Sequence, residues 1–278
     1  MPCLTGLAHK AYLHRTSTRP MTALTDAIEE IVRSAGTMIR DAFNAPDKPA
    51  YSLKGRQDYL TATDGAVEQF VRAEIERRFP GDAVLGEEAG GETGGARLWI
   101  VDPVDGTANF ARAIPHFCIS LGLMVNGELE AGAIYEPMHD ELFIAQNGHG
   151  AWCNGVRLQV SEQAELSATT VEIGWSSRLS PDPYLALVSQ CMHAGCSVRR
   201  AGSGALGLAY VAAGRCEAYA EAHINAWDVA AGLLLVREAG GRINDFWAAD
   251  GLTHGNAVLA TNARLASELS VLTGIPLR

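Results

Sequence analysis

The residues best suited to chemistry lie between residues 99 and 110, where two aspartates follow an apolar stretch. Asp102 ends that stretch, and Pro103 favours extended backbone in the residue before it, so we expect the strand to end there. Asp105 follows three residues later, which places two carboxylates in one turn at a strand end, where α/β layers bind ligands. Adjacent carboxylates repel each other, and Mg²⁺, which prefers oxygen ligands, would relieve that repulsion.

Gly106 and Thr107 come directly after the second aspartate. They can expose backbone N–H groups at the start of a helix, an arrangement that binds phosphate. On pattern alone, an Asp-Pro turn followed by a helix cap explains the same residues equally well.

Three other acidic segments fall at predicted element ends. Glu87 follows a short strand and a glycine, Asp228 lies in the first turn of an apolar helix, and Asp64 follows a threonine at another helix start. Each one alone is explained by a solvated turn or by capping of a helix N-terminus. None of them indicates a function without the others.

Taken together, and in this order along the chain, these motifs resemble those of the inositol monophosphatase family. Segments 99–110 and 227–232 are specific as a pair, and the resemblance extends over roughly residues 22–263. The other segments that carry it are residues 54–55, 61–64, 85–88, 200–206, 210–214 and 233–241.

The resemblance implies a metal centre with two or three Mg²⁺ ions. Asp102 would bridge two ions, and the backbone carbonyl of Val104 would be a further ligand. Thr107 and Asp64 would form the dyad that polarises the attacking water. The carboxylates implied to bind metal are those of Glu87, Asp102, Asp105 and Asp228.

The resemblance also implies a substrate site. Gly106 and Thr107 would bind the phosphate, and Glu221, seven residues before Asp228, would contact inositol hydroxyls. Two further residues would line the substrate ring, namely Ser176 and Gly204.

The implied function is Mg²⁺-dependent hydrolysis of inositol-1-phosphate or a similar small polyol or sugar phosphate. The attack is by metal-activated water, without a covalent intermediate. Segments 173–178 and 221–225, on the substrate side, are the least typical of the family, whereas Ala108 and Tyr59 depart from it without being candidate ligands. Histidinol phosphatase, fructose-1,6-bisphosphatase and 3′,5′-adenosine bisphosphate nucleotidase therefore remain alternatives.

An alternative of another class is a regulatory protein that binds transcription machinery, as some bacterial members of the family do. The complete set of five acidic site residues favours an enzyme instead. The resemblance further implies a homodimer and sensitivity to lithium.

Periodicity predicts the elements that position these residues. In residues 21–160 two amphipathic helices precede an antiparallel meander of strands. In residues 161–278 strands and helices alternate, which is typical of an α/β layer. With the resemblance, this predicts a mixed α+β and α/β fold, a layered α-β-α-β-α sandwich with an antiparallel sheet in the first half and a smaller mixed sheet in the second. The predicted helices are 22–43, 64–79, 183–194, 203–213 and 226–239; the predicted strands are 83–85, 98–101, 117–125, 129–135, 142–145, 170–173, 198, 216–221, 241–244 and 257–260.

Composition excludes several classes of protein. A hydrophobic content of 47% with 19% charged residues is globular rather than disordered, and the net charge of −10 argues against a nucleic-acid partner or an anionic membrane surface. No apolar run is long enough to span a bilayer, and six cysteines without a CxxC pair indicate free thiols in a reducing cytoplasm. Residues 1–20 carry three basic and no acidic side chains, and we expect a disordered extension there.

Overall fold

A computed structural model describes residues 22–46, 51–55 and 58–277 of the chain. Helix α1 (Ala23–Phe43) begins after Thr22, whose side chain accepts a hydrogen bond from the first turn. A short hairpin of β1 (Tyr51–Gly55) and β2 (Asp58–Thr61) leads into α2 (Ala62–Arg78), which Thr61 caps in the same way. The two helices predicted here are confirmed to within two residues at each end.

The larger sheet is the predicted meander. Its first two strands run parallel, and every later neighbour is antiparallel and adjacent in sequence. One short helix, α3 (Thr107–Ala111), follows the second of these strands. The seven strands, in spatial order, are β3 (Ala83–Gly86), β4 (Arg97–Asp105), β5 (Cys118–Val125), β6 (Glu128–Glu136), β7 (Glu141–Gln146), β8 (Gly150–Cys153) and β9 (Val156–Arg157).

The second sheet is smaller and mixed, as predicted. Its five strands are β10 (Thr170–Ile173), β11 (Ser197–Arg199), β12 (Ala218–Ile224), β13 (Arg242–Ile243) and β14 (Asn256–Thr261). They lie in the order β11-β10-β12-β14-β13, with β10 parallel to both neighbours and β14 antiparallel to both of its own. The accompanying helices are α4 (Asp182–His193), α5 (Gly204–Ala212), α6 (Ala226–Glu238), α7 (Gly251–His254) and α8 (Ala266–Thr273), with 3₁₀ turns at Leu166–Ala168 and Ala248–Asp250.

Three buried clusters bind these elements into five layers. Trp99 and Val101 of β4 pack under α1 and α2, whereas the alternate residue Ile100 faces α5 and α6 on the other side. The opposite faces of α5 and α6 cover the second sheet, whose far face packs against α4 and α8. The predicted α-β-α-β-α order is therefore confirmed.

Small residues let α6 approach the larger sheet closely. A side chain at Gly132 would come within 2.9 Å of the backbone of Ala231, and one at Gly122 within 2.9 Å of the side chain of Ala230. The two alanines of segment 227–232 therefore meet two glycines in β5 and β6. This contact brings the first turn of α6, with its aspartate, to the end of β4.

The prediction for β4 is wrong at its end. The strand continues through Pro103 to Asp105, with a register shift against β5 between Asp102 and Asp105. Proline lacks the N–H that a regular ladder needs, and a bulge leaves that position unpaired. Several elements were not predicted: the hairpin β1–β2, strands β8 and β9 at the edge of the larger sheet, the segment Ala248–His254 and helix α8.

The structure also bears on the expectations from composition. Within residues 22–46, 51–55 and 58–277, no helix has the length and apolar character needed to cross a membrane. The five cysteines in this part of the chain are all free. The expectation for residues 1–20 lies outside the described residues.

Candidate active site

Three aspartates from distant parts of the sequence meet at one point. Asp102 and Asp105 lie at the end of β4, and Asp228 lies in the first turn of α6. One carboxylate oxygen of each lies within 4.8 Å of the other two. Asp102 and Asp105 are buried and Asp228 is half-buried, so the group opens to solvent on one side only.

Local hydrogen bonds orient two of these carboxylates. The backbone N–H of Val104 donates to Asp102 Oδ1 at 2.9 Å, within the irregular end of β4. The backbone N–H of Asn225 donates to Asp228 Oδ2 at 3.0 Å, the return bond of a capping box at the start of α6. The cap predicted as the alternative for Asp228 is therefore present, and it coexists with the acidic cluster.

The third carboxylate joins the two halves of the fold. Asp105 Oδ2 accepts hydrogen bonds from Ser203 Oγ at 2.5 Å and from the backbone N–H of Ala205 at 2.7 Å. Its other oxygen accepts from the backbone N–H of Gly204 at 3.3 Å. An aspartate at the end of β4 thus binds the N-terminus of α5, whose positive dipole end favours a negative charge.

The three carboxylates repel one another when no positive charge lies between them. Burial raises the pKa of Asp102 well above its ordinary range, and the charges of Glu87 and Asp105 raise it further. Burial also raises the pKa of Asp228 well above its ordinary range, again with Asp105 adding to the effect. A divalent cation among these oxygens would neutralise the repulsion, and all of the donors are the hard oxygens that Mg²⁺ selects.

Glu87, immediately after β3, lies beside this group rather than within it. Its Oε1 is 3.2 Å from Lys54 Nζ of β1, and the same ammonium lies 2.9 Å from Glu88 Oε1. Burial raises the pKa of Glu87 and the charge of Lys54 lowers it, and the result is a pKa of about 7. The carboxylate is close enough to raise the pKa of Asp102, so the predicted ligand is near the cluster and has a cationic partner.

A hydroxyl and a carboxylate form a second close pair beside the aspartates. Thr107 Oγ1 lies 3.1 Å from Asp64 Oδ1 and 2.9 Å from the carbonyl oxygen of Val104. Asp64 is fully buried, and its other oxygen accepts from the backbone N–H of Thr61 at 2.9 Å. Burial raises the pKa of Asp64, which makes the carboxylate a stronger proton acceptor.

Gly106 is required by the backbone at this point. Its φ is +98°, in the left-handed region, and a side chain there would come within 2.9 Å of the carbonyl oxygen of His116. The residue is the N-cap of α3, so the helix start predicted at residues 106–107 is confirmed. The tight turn places Thr107 directly beside the carboxylates.

A cavity of about 260 Å³ contains most of the predicted site. Eight of the predicted site residues line it: Glu87, Asp105, Gly106, Thr107, Ser176, Gly204, Glu221 and Asp228. The three remaining predicted residues, Asp64, Asp102 and Val104, lie behind this lining: Asp64 and Val104 contact Thr107, and Asp102 contacts Val104.

Glu221 on β12 lines the same cleft as Gly106 and Thr107. Tyr219 donates its hydroxyl hydrogen to Glu221 Oε2 at 2.6 Å, and burial raises the pKa of Glu221 to about 7. Any side chain at position 174 would collide with this carboxylate, which explains the glycine there. The carboxylate is held in place and still borders open space.

Sequence reasoning missed several residues that shape the site. Ser203 belongs to a segment that carried the resemblance, but its bond to Asp105 spans 98 positions and no local pattern reveals it. Tyr59 was treated as a neutral departure, yet it lines the cleft with the Arg112 guanidinium 4.4 Å from its ring centroid. Gly174, Trp175 and His223 also line the cleft, and they fall in segments 173–178 and 221–225, which were expected on the substrate side. Tyr219 lines it without any sequence signal.

Replacing Glu221 with glutamine is expected to stabilise the fold more at pH 8 than at pH 5.5. The unfolded chain releases this proton near pH 4.5 whereas the folded protein holds it until about pH 7, so the free energy of unfolding of the wild type falls as the pH rises through that window. The variant lacks this loss, and the expected gain at pH 8 is about 1–3 kcal/mol. Urea unfolding in EDTA at both pH values measures it.

The matched control for this experiment is Glu268→Gln on the exposed first turn of α8. It should change the free energy of unfolding equally at both pH values. An equal gain from Glu221→Gln at both would contradict the raised pKa.

Comparisons with known proteins agree along nearly the whole described chain. The description "Inositol monophosphatase family" belongs to the sequence profile that matches residues 21–272. "Nus factor SuhB" from Xylella fastidiosa is 40% identical over 220 residues, covering 78% of this chain and 80% of that protein. The extragenic suppressor protein suhB from Bartonella henselae has a TM-score of 0.85 at 33% identity, covering 91% and 98% of the two chains. The inositol monophosphatase from Anabaena (Nostoc) has a TM-score of 0.79 at 36% identity, covering 92% and 98%.

Proposed function

This chain belongs to the inositol monophosphatase family, and from that premise we propose that its cleft hydrolyses inositol-1-phosphate or a similar small polyol or sugar phosphate with the help of Mg²⁺. The observation that carries the proposal is the cluster of three aspartates beside the hydroxyl–carboxylate pair of Thr107 and Asp64. A purely structural role would explain neither the burial of these charges nor their position at an open cleft.

The donor set fits Mg²⁺. Asp102, Asp105 and Asp228 supply carboxylate oxygens within 4.8 Å of one another, and the raised pKa values of Asp102 and Asp228 are consistent with a site that a bound cation stabilises. In this proposal two or three ions are held by these aspartates together with Glu87 and the carbonyl of Val104. Bound Mg²⁺ supplies Lewis-acid stabilisation of phosphate oxygens and lowers the pKa of water.

Thr107 and Asp64 orient and deprotonate the attacking water. The Thr107 hydroxyl donates its hydrogen to Asp64 Oδ1, which leaves an oxygen lone pair to accept from the water. As the water oxygen bonds to phosphorus, its proton passes to Thr107 Oγ1 and the threonine proton passes to Asp64 Oδ1. The phosphorus–oxygen ester bond breaks, and the leaving alkoxide takes up a proton from solvent.

The remaining site residues bind the substrate. The backbone N–H groups of Gly106 and Thr107 bind phosphate oxygens, and Ser176 and Gly204 line the ring. Glu221 accepts hydrogen bonds from polyol hydroxyls when it is ionised. Its raised pKa means that this recognition improves as the pH rises through about 7.

The purified protein is expected to release phosphate from inositol-1-phosphate only when Mg²⁺ is present. A panel with histidinol phosphate, fructose-1,6-bisphosphate and adenosine 3′,5′-bisphosphate, assayed by phosphate release, ranks the alternative substrates. Release that continues unchanged in EDTA would overturn the metal mechanism. Inhibition by lithium, which the family resemblance implies, is measured in the same assay.

We also place this activity in the cytoplasm, in a homodimer without direct contact to nucleic acid or membrane. Support for these features comes from family membership and from the net charge of −10. Light scattering of the purified chain tests the dimer.

A second candidate function is regulatory binding to transcription machinery. The observation that favours it is the name "Nus factor SuhB" of the relative from Xylella fastidiosa, which is 40% identical to this chain. Titration of labelled protein with purified bacterial RNA polymerase tests it. Binding that is unaffected by loss of the acidic cluster would separate this function from catalysis, and absence of binding at micromolar concentration would remove it.

A further inference from the structure

A second, much smaller cavity lies behind the outer wall of the cleft. It encloses about 10 Å³, the room that a single water molecule needs. Trp175 and His223 line this cavity, and both residues also line the main cleft. Trp175 belongs to the loop between β10 and α4, whereas His223 lies near the end of β12. The cavity therefore separates two chain segments that together border the substrate space.

Each of these side chains carries a buried nitrogen with no hydrogen-bond partner among the described residues, Trp175 Nε1 and His223 Nδ1. The indole N–H can only donate. His223 Nε2 lies 2.9 Å from the carbonyl oxygen of His254, which can only accept, so Nε2 carries hydrogen and Nδ1 of the neutral ring is an acceptor. One unmet donor and one unmet acceptor are what a single water satisfies, because it accepts from one and donates to the other.

Each ring also has a contact outside the cavity. A side chain at position 255 would come within 3.0 Å of His223 Cε1, and Gly255 has a φ of +70°. The guanidinium of Arg200 lies 5.8 Å from the centroid of the Trp175 ring. A movement of either ring would therefore disturb one of these contacts.

We propose that one buried water accepts from Trp175 Nε1, donates to His223 Nδ1, and thereby fixes the outer wall of the cleft. Ser176 directly follows Trp175, and Glu221 lies two residues before His223. The bridge therefore sets the distance between the two substrate-contacting residues on that wall. Trp175 and His223 are positioning residues, and their effect on substrate binding rests on the proposed phosphatase function.

The water itself is tested without any assay of activity. A crystal structure is expected to show one ordered water within hydrogen-bond distance of both nitrogens. The emission spectrum of Trp175, obtained by subtracting that of Trp175→Phe, should shift in His223→Phe, which loses the acceptor. It should shift less in His223→Asn, whose amide oxygen stands near the position of Nδ1. A dry cavity, or equal shifts in the two variants, would overturn the proposal.

The positioning role is tested by kinetics on the phosphate ester that the chain hydrolyses best. Trp175→Phe and His223→Phe are each expected to raise KM about three- to tenfold, the effect of one lost hydrogen bond, with kcat within about twofold of wild type. The double variant should be no worse than either single one, because both remove the same bridge. Multiplying effects would refute the shared bridge. Absence of any phosphatase activity would instead refute the proposed function. The presence of the bridging water would then be decided by the crystal structure and the emission spectra alone.

Discussion

Asp228→Asn is expected to lower the rate of phosphate release at least about a thousandfold while the chain keeps its fold. The carboxylate belongs to the group of three whose oxygens lie within 4.8 Å of one another, so its loss removes a charge that a divalent cation needs. Metal assistance contributes several kcal/mol to transition-state stabilisation, and each 1.4 kcal/mol or so is a factor of ten in rate.

The substitution preserves the local fold because asparagine keeps an oxygen acceptor. The backbone N–H of Asn225, which now donates to Asp228 Oδ2 at 3.0 Å, can donate to the amide oxygen of the variant, so the cap of α6 survives. The variant also relieves repulsion with Asp102 and Asp105. Without metal it should therefore be at least as stable as the wild type.

Asp182→Asn is the matched control, since Asp182 lies in the first turn of α4 and is exposed away from the cleft. Steady-state phosphate release over a range of Mg²⁺ concentrations, with thermal unfolding with and without Mg²⁺, measures both variants. The control should keep wild-type activity and the stabilisation by Mg²⁺, and Asp228→Asn should lose both. A tenth or more of wild-type activity in Asp228→Asn would exclude this aspartate as an essential ligand.

Asp105 is a less informative position for the same experiment. Its two oxygens accept hydrogen bonds from Ser203, Gly204 and Ala205 as well as facing the cluster. An amide nitrogen turned toward those donors would leave buried groups unsatisfied, at a cost of about 1–3 kcal/mol each. Loss of activity there would mix metal binding with the contact between the two halves of the fold.

Periodicity predicted the helices and strands in which each face lies against a single kind of environment along its whole length. In residues 117–125 and 129–135, successive side chains point to the two buried faces of the sheet, and small residues lie under α6. Turn signals separate the two segments, so the meander could be predicted from the sequence. Helix α1 has apolar residues at helical spacing and a threonine cap, and both its ends were predicted. Here local propensity and tertiary packing agree.

The failures occur where long-range contacts overrule a local signal. Pro103 was expected to end β4, but the strand continues as a bulge because the chain beyond it is held against β5 and α5. In the hairpin of β1 and β2, the apolar residues Tyr51 and Leu53 alternate with polar ones, but all of β1 is exposed, so this short alternation marks no buried face. The Ser203–Asp105 bond depends on how the two sheets meet, which no local pattern encodes.

The geometry of the cleft also changes how the net charge of −10 is interpreted. A cleft containing Asp102, Asp105 and Asp228 should repel a phosphate ester when it is empty. Burial and mutual repulsion raise the pKa values of Asp102 and Asp228, and a bound cation would offset both effects. In the proposed function the substrate therefore binds with its metal or after it.

Thr107→Val is expected to lower kcat about 10²- to 10⁴-fold, the usual contribution of a general acid–base group, without changing the stabilisation by Mg²⁺. Valine has the shape of threonine but no hydroxyl, so the relay from water to Asp64 is broken while the turn around Gly106 is kept. Thr107→Ser keeps the hydroxyl and is the control, with kcat expected within about tenfold of wild type. Single-turnover phosphate release at saturating Mg²⁺ separates the chemical step from product release.

Asp64→Asn removes the proposed proton acceptor at the other end of the same proposed relay. An amide oxygen can still accept from the backbone N–H of Thr61, now 2.9 Å from Asp64 Oδ2, so α2 keeps its cap. Because the hydroxyl and the carboxylate act on one proton, the double variant Thr107→Val, Asp64→Asn should be no slower than the slower single variant. Losses that multiply would mean that the two residues act separately, and the water would then need another base.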